Sequence, residues 1–145
     1  SVLSNVVFTS NKIDNQTKQL VALASSLSSG CKYCQSHTSH GAEREGVSIE
    51  KILSILDYQN SDHFSAKEKS VLDLAFASGK IPNEAKKEHF EKLDKYYNKS
   101  QITVIVSVIS LFGFLNRWND TFGTQIEKIP GDFVNNELTP KGWNK

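Results

Sequence analysis

The sequence predicts an all-α helical bundle in a single domain, and three observations carry that expectation. Residues suited to helix starts and stops recur: Asp14, Ser48 and Ser65 on one side, Gly30, Gly46 and Gly79 on the other. The apolar residues between them follow the helical period instead of alternating. The longest apolar run, Ile102 to Leu115, meets no turn residue before Gly113 and is longer than an ordinary strand. A chain of 145 residues is the usual size of one core. The domain is expected to fill 1–145, with a core at 14–121 and a tail at 122–145.

Taken in order, Asp14 caps a helix whose Leu20, Leu23, Ala24 and Leu27 share one face, and Ser29-Gly30 ends it. The cysteine segment begins a second helix that runs to about Glu45 and stops at Gly46. Ser48 caps a third, with Ile49, Ile52, Leu53 and Leu56 on one side. Ser65-Ala66-Lys67-Glu68 is a capping box for a fourth, which should end near Gly79. Pro82 fits the first position of a fifth, with Phe90, Leu93 and Tyr97 as its apolar side. The run from Ile102 is rich in β-branched residues, which would suit a buried strand. Its length makes it a buried helix through about Asp120. Pro130, Gly131, Pro140 and Gly142 leave a tail of short helix and loop.

Composition removes several functions. Seventeen basic against sixteen acidic residues give no excess to attract nucleic acid or an anionic membrane. The apolar run falls short of the roughly 20 residues that span a bilayer, so no membrane partner is expected. No charged segment followed by an apolar stretch opens the chain, and a cytoplasmic location is expected. Ser1 at the start and the lack of methionine are expected of a processed chain, a trimmed one or an incomplete sequence.

The chemistry concentrates in Cys31-Lys32-Tyr33-Cys34-Gln35-Ser36-His37-Thr38-Ser39-His40, which holds both cysteines. At a helix start, free amide N–H groups and the positive dipole end favour a thiolate. The i, i+3 spacing brings Cys34 within disulfide reach of Cys31. A free thiol has a pKa of about 8.5, so the site should lower it. His37, three residues past Cys34, is the candidate base, and His40 is another three on. A zinc site from Cys31, Cys34, His37 and His40 fails on a continuous helix, where positions 31 and 40 are about 13 Å apart. A structural pair of buried thiols is the other alternative. His63 and His89 stand among polar and charged neighbours and read as solvated. Arg117 and Asp120 can pair at i, i+3 near a helix end. Alternatively Arg117, Trp118, Asn119 and Asp120 line a cavity or a subunit contact.

Residues Gln19 to Thr38 (QLVALASSLSSGCKYCQSHT) resemble the core signature of the carboxymuconolactone decarboxylase superfamily, in its alkylhydroperoxidase D-like redox branch. Phe112 to Thr121 (FGFLNRWNDT) resembles the late-helix pattern of the same proteins. The resemblance implies an all-helical domain assembled as a homo-oligomer, a trimer or hexamer. It implies a peroxiredoxin-type oxidoreductase that reduces organic hydroperoxides without a bound cofactor or metal and is reset by an external dithiol or thiol protein. Cys34 would be the peroxidatic residue and Cys31 the resolving one. The family's relay pairs a glutamate twelve residues before the first cysteine with a histidine four after the second. Here those positions hold Gln19 and Thr38, which leaves His37 as the base. Gln19 and His40 are secondary relay candidates. The decarboxylase branch lacks the cysteine pair. Two rivals stand beside the peroxidase: a non-catalytic oligomer or binding module of the same fold, and a general disulfide reductase, which would need strands around the motif.

Overall fold

A computed structural model describes residues 2–143, and among them there is no strand. Eight α-helices follow in order: α1 (Val2–Thr9), α2 (Asn15–Ser29), α3 (Lys32–Arg44), α4 (Ile49–Ser54), α5 (Ala66–Ser78), α6 (Lys87–Leu93), α7 (Lys99–Phe122) and α8 (Lys128–Phe133). A 3-10 segment, Ile55–Asn60, extends α4, and a wide π-type turn, Val134–Leu138, extends α8.

α2 is the central helix, with α3, α5 and α7 packed against it. Leu20 to Ser26 are all buried, so this helix is covered on every side, as a core helix must be. Alanines and serines at 22, 24, 25 and 26 keep its girth small. Asp14 caps it by accepting from the Thr17 amide, and Gly30 ends it at φ 80, a left-handed value that a side chain would oppose. The expected caps at Ser48 and Ser65 form, the latter as a full capping box with Glu68. Lys18 is buried, and its ammonium donates to the carbonyls of Phe8 and Ser10, tying the α1 end to α2.

The helical reading of the long apolar run holds, and the helix extends further, over Lys99–Phe122. Its expected burial holds on one face only. Ile105, Val108, Ile109, Leu111 and Phe112 enter the core, whereas Val106, Phe114, Trp118 and Phe122 are exposed. By length and composition the 24-residue helix could cross a membrane, beyond what the apolar run alone suggested; its inner face packs against α2 and α3.

Two expectations need correction. Pro82 does not start a helix. Residues 80–86 fold back on α5, with Glu84 N–H bonded to the Ala77 carbonyl and Asn83 Oδ1 accepting from the Ala85 amide. α6 begins only at Lys87, and the buried Tyr97 lies beyond its end. The tail holds the expected short helix, α8, but it is not set apart from the core: Val134, Leu138 and Trp143 are buried in it, and α8 packs on α3. Pro and Gly signals spoke only of the local backbone there.

Candidate functional site

The site starts from the break between α2 and α3. Gly30 turns the chain, and the Cys31 amide donates to the Ser26 carbonyl at 3.1 Å. That contact sets Cys31 at the N-cap of α3, where its Sγ accepts from the Cys34 amide at 3.4 Å. A thiol sulfur thus takes the place of a Ser or Asp oxygen as the cap. Both thiols are free. The spacing expectation holds, since the two cysteines share the first turn of one helix.

Exposure departs from the simple picture of an open helix start. Cys31 is 0% exposed and Cys34 2%. Burial pushes both thiols above their ordinary values; at Cys31 the Cys34 and Asp120 side chains add to the rise, whereas at Cys34 hydrogen bonds oppose it. The helix terminus does not outweigh this, because desolvation of the anion costs more than one long amide contact returns. For Cys34, hydrogen bonds from Cys31 and Asn119 favour the thiolate against that burial. Asn119 Nδ2 stands 3.6 Å from Cys34 Sγ and is held by the Leu115 carbonyl at 2.9 Å. The Asp120 carboxylate reaches the Cys31 thiol and favours its neutral form, and its charge does the same at Cys34. Among the described residues Asp120 makes no ion pair with Arg117.

His37 forms a second cluster on the same helix. Its Nε2 lies 2.6 Å from Glu127 Oε2, and Tyr33 Oη donates to Glu127 Oε1 at 2.9 Å. The Tyr33 and His37 rings face each other with centroids 4.5 Å apart. Burial first, and the Glu127 bond second, push the Tyr33 phenol up to about 12; both cysteines add to it, so the phenol is within electrostatic reach of them. Hydrogen bonding from His37 holds the Glu127 carboxyl below the usual range.

The other sequence candidates have contacts of their own. Gln19 faces α3 one turn beyond His37; a Cβ on Gly41 would come within 2.6 Å of Gln19 Oε1, so glycine at 41 leaves room for that carboxamide. His40 packs its ring on Phe133 at 5.2 Å. Thr38 spends its hydroxyl on the Cys34 carbonyl at 2.7 Å. Tyr33 and Glu127 carry no site assignment from the sequence; of the two readings of residues 117–120, the cavity lining is the one the structure shows, for Arg117, Trp118 and Asp120. Asn119 and Asp120 fell inside a recognised late-helix match. Glu127 carried no signal, because only the return of α8 onto α3 brings it near.

A cleft of about 970 Å³ opens between the ends of α2 and α5 and the outer face of α7; neither cysteine lines it. Asp120 lines it and so connects it with Cys31. Phe114, Trp118 and Phe122 form an aromatic ladder along it, with centroid spacings of 5.9 and 4.9 Å. Ser25 and Asn116 are buried at its floor without hydrogen-bond partners.

Comparison with known proteins sets this geometry in a family. The model of the carboxymuconolactone decarboxylase family matches residues 2–77, just over half of the chain, including the cysteine turn. This chain belongs to the carboxymuconolactone decarboxylase family. It is 35% identical to the debrominase Bmp8, with a TM-score of 0.86 over 92% of this chain and 72% of that one. A cysteine-to-alanine variant of Bmp8 in complex with 2,3,4-tribromopyrrole gives 34% and 0.87. The uncharacterized protein YdfG of Bacillus subtilis is 24% identical over 110 residues, 75% of this chain and 73% of YdfG. An AhpD-like protein of unknown function from Agrobacterium tumefaciens shares the fold at 23% identity, with a TM-score of 0.82 over 88% of this chain and 87% of that one. The all-α, alkylhydroperoxidase D-like architecture is therefore shown.

Proposed function

We propose that the chain is a dithiol-driven reductase of small electrophiles, with organic hydroperoxides as its substrate class. The observation that supports this most is the pair of free, buried thiols on one helical turn, with an amide donor on Cys34 and, at Cys31, the Asp120 carboxylate that lines the neighbouring cleft. Cys34 thiolate attacks the terminal peroxide oxygen. The O–O bond breaks, the alcohol leaves with a proton, and Cys34 becomes a sulfenic acid. Cys31 then attacks that sulfur, the S–S bond forms and water leaves. An external dithiol or thiol protein returns two electrons and two protons. His37 is the base that serves the thiolate; because both thiols rest in the neutral form, a proton acceptor is needed. Asn119 holds the Cys34 anion. A reset by thiols suits a reducing compartment such as the cytoplasm.

One comparison favours a second reading. The likeness to Bmp8 over most of the chain suggests reductive dehalogenation at the same dithiol. There the sulfur would take the halogen from a ring carbon, which gains a proton. The second thiol would expel halide as the disulfide closes. Cumene hydroperoxide and a bromopyrrole, each supplied with dithiothreitol, separate the two. Hydroperoxide turnover that is lost in Cys34→Ser supports the first. Bromide release without hydroperoxide turnover supports the second, and neither activity would refute both.

The exposed aromatic ladder of α7 supports assembly as a homo-oligomer, since a face of this kind needs cover.

A further inference from the structure

Glu127 occupies the N-cap position of α8, where a short polar side chain usually closes the helix. Its side chain makes no cap. It crosses instead to α3, ninety residues earlier in the chain, and divides its two oxygens between His37 and Tyr33 at 2.6 and 2.9 Å. Tyr33 and His37 are i, i+4 on α3, and their rings face each other. An ordinary surface ion pair has one partner and free rotamers, and contributes little. Here one carboxylate is held at both oxygens by two side chains that also fix each other.

The 2.6 Å contact has a chemical consequence. A carboxylate only accepts, so Nε2 of His37 carries a proton. The neutral ring therefore has its lone pair on Nδ1. Other charged groups near the cluster are Lys32 on α3 and Lys128, which pairs with Asp132 on α8. Cys34, Cys31 and Asp120 stand on its inner side. Gln19 faces Gly41 and is a carboxamide, so it offers no charge.

We infer that Glu127 is the carboxylate of this chain's proton relay, a positioning residue that fixes His37 as the Nε2–H tautomer and leaves Nδ1 to exchange protons with the dithiol. The inference rests on the reading that His37 serves Cys34. In the step itself, the Cys34 thiol gives its proton to Nδ1, directly or through water. The ring becomes an imidazolium between thiolate and carboxylate, while the Nε2–H bond to Glu127 is kept. The same proton returns to the alkoxide that leaves the peroxide. Tyr33 holds the second oxygen, which restrains the carboxylate at the ring.

The experiment uses the reduced full chain with iodoacetamide as the probe, so that it does not depend on the substrate. Trypsin cuts after Lys32 and separates Cys31 from Cys34, so Cys34 alkylation is read alone by mass spectrometry. Glu127→Gln should slow that alkylation about tenfold at pH 7, less than the roughly 10²–10⁴-fold that a positioned acid–base group itself supplies, because Glu127 acts only through His37. Glu127→Asp should recover part of the loss. Adding Glu127→Gln to His37→Ala should cost nothing further. Long-range 15N–1H spectra should show the Nε2–H form in the wild type and a shift toward the other tautomer in Glu127→Gln. Two results would overturn the inference: an unchanged tautomer, or equal slowing by Glu127→Gln with and without His37. If His37→Ala alone leaves alkylation unchanged, the reading of His37 as the base fails. If His37→Ala slows alkylation but Glu127→Gln matches the wild type, only the role of Glu127 fails.

Discussion

Asn119→Ala removes the one amide that approaches Cys34 from α7, and the size of its effect follows from the geometry. A hydrogen bond to a charged group contributes about 1.5–3 kcal/mol. The Nδ2 to Sγ separation of 3.6 Å is long, so the low end applies, and about 1.4 kcal/mol is a factor of ten. Alanine has the highest helix propensity, so α7 should persist. The thiolate fraction of Cys34 at pH 7 should fall about tenfold, and the alkylation rate with it. At strongly alkaline pH, where both proteins carry the thiolate, the two rates should converge. Asp120→Asn should act in the opposite direction, because it removes a negative charge that disfavours the Cys34 anion. Its carboxylate is exposed, so a gain of about two- to fivefold at pH 7 is expected. The assay is the pH profile of iodoacetamide alkylation on the Cys34 peptide. If Asn119→Ala and Asp120→Asn shift that profile in the same direction, or not at all, the assignment of these neighbours is wrong.

In Cys31→Ser, peroxide should leave a sulfenic acid on Cys34 that dimedone traps; trapping on Cys31 in Cys34→Ser, with none in the reverse case, would invert the roles. Because folding raises both thiol pKa values, the native state holds protons that the unfolded chain has lost above about pH 8.5. Stability should then be fully present below that pH and decline as pH rises from there. Urea midpoints of wild type and Cys31→Ala/Cys34→Ala between pH 7.5 and 9.5 should show the steeper decline in the wild type, since the phenols of Tyr33, Tyr58 and Tyr97, also raised by folding, add a smaller decline to both. Leu23→Ala, at a fully buried position of α2, should cost about 2–5 kcal/mol in the same measurement. Light scattering should give a multiple of the 16.2 kDa chain mass, and Trp118→Asp on the α7 ladder should return the monomer.

The parts of the fold legible in the sequence are those set locally. Asp14, Gly30, Ser48 and Ser65 mark helix ends through short-range hydrogen bonds or a backbone angle, and each appears as read. Pro82 misled, because its fixed φ suits a helix start as well as the turn formed when residues 80–86 fold back on α5. The long apolar run announced a helix but not which face stays outside, since burial depends on what α2 and α3 cover. The cysteine turn was legible for the same local reason as the caps. The environment of its sulfurs was not. Whether burial or the helix terminus decides the thiol's protonation depends on Asn119, Asp120 and the packing over Cys31, all of them set by tertiary contacts. Glu127 was the least visible, because nothing near it in the chain hints at His37 or Tyr33.

The most direct test of the account is a titration of the fully reduced protein with cumene hydroperoxide, in the absence of any other thiol. Each equivalent of hydroperoxide should consume two thiols and yield one alcohol and a Cys31–Cys34 disulfide within the chain. Cys34→Ser should consume none at a comparable rate. Thiols that persist, or a Cys34→Ser variant that reacts as fast as the wild type, would contradict hydroperoxide reduction by this dithiol.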